Sequence, residues 1–300
     1  MPPTIEQVIA AVPGWTGRSI RTERIEAGLT NTNWRVEVDG TSYFVRVPGA
    51  ATEQLAVDRG NELHNTAAAA DAGVAPRVAA VIPELDAFAL EWVDGTPGSN
   101  DSLRAPGMPS RIGAVLRELH RGPRFRDDFD MFRLSERYLA LVDARAMPIP
   151  TGYREHLDRL PRIEAALRRT PVATVPCHND LLADNYLDDG SRLWLVDWEY
   201  SGNNDPAFEL GNTAQELGYD AARCAELCAA YYGEATEARL ARMSLQMIMS
   251  DVGWTLWAAI QAAISTIHHD FGGWAEERWA RARTALDGKD LGGWIDAVRA

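Results

Sequence analysis

The 300-residue sequence predicts an α+β chain of two unequal lobes, a small β-rich lobe at residues 1–93 and a large, mostly helical lobe at residues 94–300. Three observations lead there. Short runs with period-two alternation and hairpin turns gather between residues 20 and 93. Asp94-Gly95-Thr96-Pro97-Gly98 then breaks the pattern, and helical periodicity fills most of the remaining chain. Within that helical part the strand-like runs flank one polar loop, Cys177-His178-Asn179-Asp180-Leu181-Leu182-Ala183-Asp184-Asn185.

The elements follow in order. Residues 20–25 are mostly polar and alternate imperfectly, but open a β-meander. Trp34-Arg35-Val36-Glu37-Val38 alternates cleanly, Asp39-Gly40 is a hairpin turn, and Tyr43-Phe44-Val45-Arg46-Val47 returns. Residues 52–73 read as a helix ending at Gly73, and 77–82 and 87–93 as two further strands. Helices are expected at 109–121, 130–146, 153–169, 206–218, 220–233, 236–267, 273–286 and 290–299. Val172 to Val175 and Leu193 to Val196 are short apolar strands, and Asp188-Asp189-Gly190 supplies a turn between them. There is no internal repeat and no low-complexity segment.

Composition narrows the function. With 46% hydrophobic residues the chain can bury a sizeable core, and a net charge of −13 speaks against nucleic acid and mildly for a cationic partner. Met1-Pro2-Pro3-Thr4-Ile5-Glu6 has neither the basic start nor the apolar core of a signal peptide. The most apolar stretch, residues 243–265, carries Gln246, Asp251 and Gln261, which fits a buried amphipathic helix and no membrane partner. Cys177, Cys224 and Cys228 lack the further soft ligands that zinc would need, so structural thiols in a reducing cytoplasm are expected. His268-His269-Asp270 looks like a metal cluster, but adjacent histidines on a helix diverge, and a helix-end or exposed role is expected.

The polar loop sets out a phosphoryl-transfer site in chain order. Asp180 is followed after five residues by Asn185, and Asp197-Trp198-Glu199 comes twelve residues later. Protein kinases use that spacing: the first Asp accepts the substrate hydroxyl proton, while Asn and the second Asp hold Mg²⁺ against the ATP phosphates. Hard oxygen ligands are what Mg²⁺ requires. The plain alternative is a loop rich in turn-forming Asn and Asp. A small β-rich lobe ahead of a helical lobe carrying this loop is the protein-kinase-like plan.

Other residues fit the same chemistry. Arg46 is a cation amid Phe44, Val45 and Val47, and Glu62 lies mid-helix as its partner, in the roles of the strand cation and helix carboxylate near the phosphates. An exposed strand arginine is the alternative. Gly28-Leu29-Thr30-Asn31-Thr32-Asn33 stands where kinases fold a loop over phosphates, and Thr30, Asn31 and backbone N–H groups can donate there, though an ordinary hairpin loop reads the same way. Adenine is expected near Glu91 to Val93. Trp254 and Trp257 share a helix face, and Trp274 follows in a segment able to turn back across them. Asn212 and Glu216 share a face of the helix downstream of Asp197. Tryptophan faces attract cations, and quaternary ammonium groups are recognised by such cages; a Trp pair at helical spacing equally suits a core.

Taken together, His178-Asn179-Asp180…Asn185, Asp197-Trp198-Glu199-Tyr200-Ser201, Phe208-Glu209-Leu210-Gly211-Asn212 and Trp254-Thr255-Leu256-Trp257…Gln261 resemble the choline/ethanolamine kinase family, within the wider aminoglycoside phosphotransferase group. Gly28 to Asn33 resembles that family's phosphate loop, and Arg46 and Glu62 match its strand Arg and helix Glu. The resemblance runs from about residue 25 to 280, in order. It implies that Asp180 is the base, that Asn185 and Asp197 bind Mg²⁺, and that Glu216, Trp254 and Trp257 surround an ammonium group. Trp274 falls where the family often has Tyr. Ala221 lies near where another cage Tyr is common, so that wall is either missing or supplied by Tyr219, and Leu182 stands where eukaryotic members often have a polar residue.

The expectation is therefore an ATP- and Mg-dependent kinase of a small cationic alcohol, choline first. Ethanolamine, thiamine-like and aminoglycoside substrates are the rivals, and a catalytically silent kinase-like binding protein is the reading of another class.

Overall fold

The computed structural model describes residues 3–25, 31–48, 55 and 57–298. A first helix, α1 (Ile5–Ala11), was not expected; its signature is the capping box of Thr4 and Gln7, in which each side chain takes the other's backbone N–H. Strands β1 (Ile20–Ile25), β2 (Thr32–Val38) and β3 (Thr41–Val47) form the meander. Asp39 (φ 48°) and Gly40 (φ 86°) both adopt the left-handed conformation that a tight primed hairpin turn requires. Helix α2 (Arg59–Asp71) follows, then β4 (Val78–Ile82) and β5 (Ala87–Glu91). The antiparallel sheet has the order β1-β2-β3-β5-β4, which places the Arg46 strand at its centre. Val36, Val45 and Ala89 pack on α1 in a satellite core.

Helix α2 starts at Arg59 rather than at residue 52, because the Asp58 side chain caps it through the Asn61 N–H. Residues 52–54 and 56, at the start of the expected helix, lie outside the described residues.

The rest of the chain is mainly helical. The two-residue strand β6 (Thr96–Pro97) leads into α3 (Asn100–Leu103), α4 (Met108–His120) and α5 (Met131–Ala144). The single helix expected over 153–169 is a 3-10 segment, Arg154–Arg159, followed by α6 (Leu160–Arg169), because Pro161 has no N–H to continue an earlier helix and instead starts a new one. Strand β7 (Val175–Cys177) lies later than the Val172 to Val175 run; its place is set by pairing with β10 (Gly202–Asn204), while Val172 is exposed. Between them β8 (Tyr186–Asp188) and β9 (Leu193–Leu195) make the hairpin, with β6 on its outer edge. Strands β8 and β10 had no sequence signal.

Helices α7 (Pro206–Glu216), α8 (Ala221–Tyr232), α9 (Glu237–Ile264), α10 (Phe271–Asp287) and α11 (Asp290–Ala297) complete the fold. Helix α9 is the axis: α5, α7, α10 and α11 all pack on it. It is long and apolar enough to cross a membrane, but 78% of its most apolar window is buried among its neighbours, as suits a core helix. His268 and His269 are exposed just ahead of α10, and Asp270 caps that helix through the Gly273 N–H.

Candidate active site

The loop after β7 is fixed by one buried carboxylate. Glu209, on α7 and wholly buried, accepts from the backbone N–H groups of His178 (2.6 Å) and Asn179 (2.8 Å). Asn179 sits at φ 68°, a conformation disfavoured for any residue with a side chain. Its side chain donates to the carbonyls of Tyr200 and Gly202 and accepts from Asn204, so the strain is held by many partners. His178 is buried between Trp198 and the Val196 carbonyl; burial pushes its pKa down and keeps the ring neutral. His120 and Cys177 gather around Glu209 as a buried trio, but the Glu209 oxygens are already engaged and burial pushes the Cys177 thiol up.

Asn212, expected to meet substrate, does not reach the cavity. Its Oδ1 accepts from the Leu181 N–H (2.8 Å) and its amide donates to Ser250 (3.0 Å), so it pins the loop to α7 and α9.

Asp180 is thereby aimed into a cavity of about 470 Å³ between the sheet and the helical lobe. Asn185 and Asp197 line the same cavity, with Arg46, Glu62 and Glu199. The Asp180 carboxylate makes no hydrogen bond or ion pair among the described residues. Burial, then the fields of Glu216, Asp197 and Glu199, push its pKa well up, and Arg278 opposes them. Asn185 donates from Nδ2 to the Asp180 carbonyl (2.7 Å), which leaves its amide oxygen as the ligand atom it can offer. Asp197 has φ 71°, a second strained residue at the site, and lies 2.9 Å from Arg46.

Arg46 is buried at 4% exposure and also pairs with Glu62, as the sequence suggested. Burial works against its charge, and Asp197, Glu62 and Glu199 outweigh it, so its pKa rises. Arg59 bridges Glu62 (2.6 Å) and Glu199 (3.4 Å) and donates to Asn31. Burial, with Asp197 and Glu62 near, pushes Glu199 up to about 7. Asp180, Asp197, Glu62 and Glu199 thus face two arginines, Arg46 and Arg59. Hard oxygen donors with residual negative charge fit a divalent cation, and Asn185 and Asp197 both present such oxygens to the cavity.

Ile25, Phe44, Leu90, Leu187 and Val196 give one end of the cavity apolar walls, with Glu91 and Val93 at its edge where adenine was expected. Thr30 lies outside the described residues; Asn31 is tied to Arg59 and to Glu199 (3.2 Å).

The other end is aromatic. Trp254, Trp257, Trp274 and Tyr200 line it. Trp257 stands edge-on to Trp254 (6.4 Å) and to Trp274 (6.0 Å), and its Nε1–H donates to the Tyr200 hydroxyl (2.6 Å). The Nε1–H of Trp254 is buried without a hydrogen-bond partner among the described residues. Glu216 does not line this end: Arg278 holds both its oxygens, at 2.5 and 2.7 Å. Tyr219 does not supply a wall either; it is buried against α3, donating to the Leu103 carbonyl.

Comparison with known proteins agrees with this layout. Residues 21–245 match the model of the phosphotransferase enzyme family. A crystal structure of a choline/ethanolamine kinase family protein from Mesorhizobium loti superposes with a TM-score of 0.84 at 34% identity, covering 97% of this chain and 96% of that one. The chain belongs to the choline/ethanolamine kinase family. Mouse ethanolamine kinase 2 is 28% identical over 289 residues, 86% of this chain and 74% of that protein. LicA in complex with AMP shares the fold, with a TM-score of 0.74 and 22% identity over 90% of this chain and 93% of that one. This kinase is thus a two-lobed protein-kinase-like enzyme.

Several groups around the kinase site escaped the sequence reading. Glu209 stood only within the Phe208 to Asn212 motif with no role assigned to it, since that role depends on where β7 ends. Arg59 is three residues before Glu62, a spacing that places both on one helix face. Arg278 is four residues after Trp274 and shares its face in the same way.

Proposed function

We propose that this kinase transfers the terminal phosphoryl group of ATP to the hydroxyl of choline. The observation that carries the reading is one cavity holding the Asp180 carboxylate, without a hydrogen bond or ion pair among the described residues, and three tryptophans, Trp254, Trp257 and Trp274. Asp180 would accept the hydroxyl proton; burial and the nearby Glu216, Asp197 and Glu199 carboxylates raise its affinity for a proton. Arg46 would meet the phosphates, held charged by Glu62. The apolar end beside Glu91 and Val93 would take adenine; the AMP complex of LicA supports a nucleotide in this fold. Asn185 and Asp197 would hold Mg²⁺, which supplies charge neutralisation at the phosphate oxygens. Catalysis is then positioning and electrostatics.

Choline is favoured because ring faces bind a methylated cation without hydrogen-bond acceptors. The relatives named ethanolamine kinase favour the primary amine as the second reading. A cytoplasmic location belongs to the same proposal, supported by three free cysteines.

ADP release with choline, ethanolamine, thiamine and an aminoglycoside tests it. Choline should give the highest kcat/KM, and Asp180→Asn should lose roughly 10²- to 10⁴-fold in turnover while still binding nucleotide. Absence of turnover with every amino alcohol, or near-normal turnover in Asp180→Asn, would refute the assignment.

A further inference from the structure

From its sequence position Glu216 was expected to meet the substrate cation. The structure gives that carboxylate to an internal cation instead. Arg278, on α10 and 2% exposed, donates through both terminal nitrogens to Glu216, whose side chain is 4% exposed. Its guanidinium carbon lies 4.4 Å from the Trp274 ring centroid. Arg278 lines the cavity with the three tryptophans, and Glu216 does not. One turn along α10, Arg281 pairs in the same way with the buried Asp251 on α9. Glu216 and Asp251 are therefore both matched by an arginine of α10.

Resting on the amino-alcohol reading, we infer that Arg278 is a positioning residue that sets substrate preference by withdrawing Glu216 from the cavity. A primary ammonium carries three N–H donors and needs directed acceptors; a quaternary ammonium carries none and needs ring faces. With Glu216 engaged, the aromatic end offers the ring faces of Trp254, Trp257 and Trp274, a Tyr200 hydroxyl that already accepts from Trp257, and the donor-only guanidinium of Arg278. That chemistry selects methylated ammonium over primary ammonium. Buried charges demand a partner, so removing Arg278 leaves Glu216 to capture the nearest cation. The nearest exchangeable cation is the substrate's ammonium group, and a primary ammonium, small and rich in donors, satisfies the carboxylate best. Glu216 would then do what the sequence alone suggested, but only in the variant.

The test is kcat/KM for choline, dimethylaminoethanol and ethanolamine, with KM for ATP and melting temperature measured beside it. Arg278→Met should lower the choline-to-ethanolamine ratio about tenfold or more, with KM for ATP little changed. The double variant Glu216→Gln with Arg278→Met removes both charges, and its ratio should stay near wild type, because neither partner is left unpaired. Glu216→Gln alone frees a cation beside the cage, so KM for choline should rise about tenfold or more. Should Arg278→Met fail to fold, the Glu216→Gln and double variants decide. An unchanged ratio in folded Arg278→Met, or an unchanged choline KM in Glu216→Gln, would overturn the inference while leaving amino-alcohol kinase activity intact. Wild-type protein that phosphorylates none of the three amines would instead overturn the reading beneath it.

Discussion

Replacing Glu209 with Gln changes one oxygen to an amide and nothing in size, yet it should unsettle the whole catalytic loop. In the native protein each carboxylate oxygen accepts one backbone N–H, from His178 at 2.6 Å and from Asn179 at 2.8 Å. A glutamine there would keep one acceptor and turn an NH₂ group on the other N–H. A charge-assisted bond is lost and a buried donor is left unsatisfied, at a combined cost of about 3 kcal/mol. For a chain of this size that corresponds to a fall in Tm of roughly 5 °C. The larger effect should be kinetic. Asn179 holds φ 68°, a conformation that costs a non-glycine residue something even though Asn tolerates it best, with the help of these bonds, and Asp180 is the next residue. Relaxation of that strain moves the Asp180 carboxylate, and a shift of about 1 Å can cost about 10²-fold in rate. Thermal melts and steady-state ADP release on the purified variant measure both effects. A Tm within about 1 °C of wild type together with kcat within about twofold would show that the Glu209 contacts do not hold the loop, and the reasoning would fail.

Two further outcomes are expected. Asp197→Ala should abolish turnover and weaken Mg²⁺-dependent ATP binding, since a hard anionic ligand is lost; calorimetry showing unaltered Mg²⁺-dependent affinity would make Asp197 a partner of Arg46 and no more. Asp251 gives a pH signature in stability. Burial pushes its carboxyl from an ordinary value near 3.8 up to about 6, against the pull of Arg281. The folded state then binds the proton more tightly than the unfolded state, so stability falls as pH rises across that window. The window of roughly two pH units bounds the Asp251 contribution at about 3 kcal/mol, and Asp251→Asn should show a slope smaller by that contribution. Urea midpoints of both proteins between about pH 4 and 6.5 measure it, and parallel curves would exclude the effect.

What the sequence determined by itself was whatever depends on local spacing. The clean alternation of Trp34 to Val38 and the Asp39-Gly40 turn specified β2, β3 and their register, because one face of the meander had to be buried. Asp180, Asn185 and Asp197 were legible as a set, because a tight loop and a hairpin leave few ways to place them. Arg46 with Glu62 was legible too, as a cation and a carboxylate that each need a buried partner.

What only the tertiary structure decided was which polar groups spend themselves on one another. Asn212 and Glu216 share a helix face, as the spacing said, but a face does not say what stands opposite it. Across from Asn212 stand the Leu181 N–H and Ser250, and across from Glu216 stands Arg278, 62 residues away in sequence. Strands β8 and β10 were invisible for a related reason. Their three residues carry no pattern of their own, and β10 exists because β7 lies beside it. Partners distant in sequence are chosen by packing on α9, and a buried charge takes whichever counter-charge the packing brings within reach.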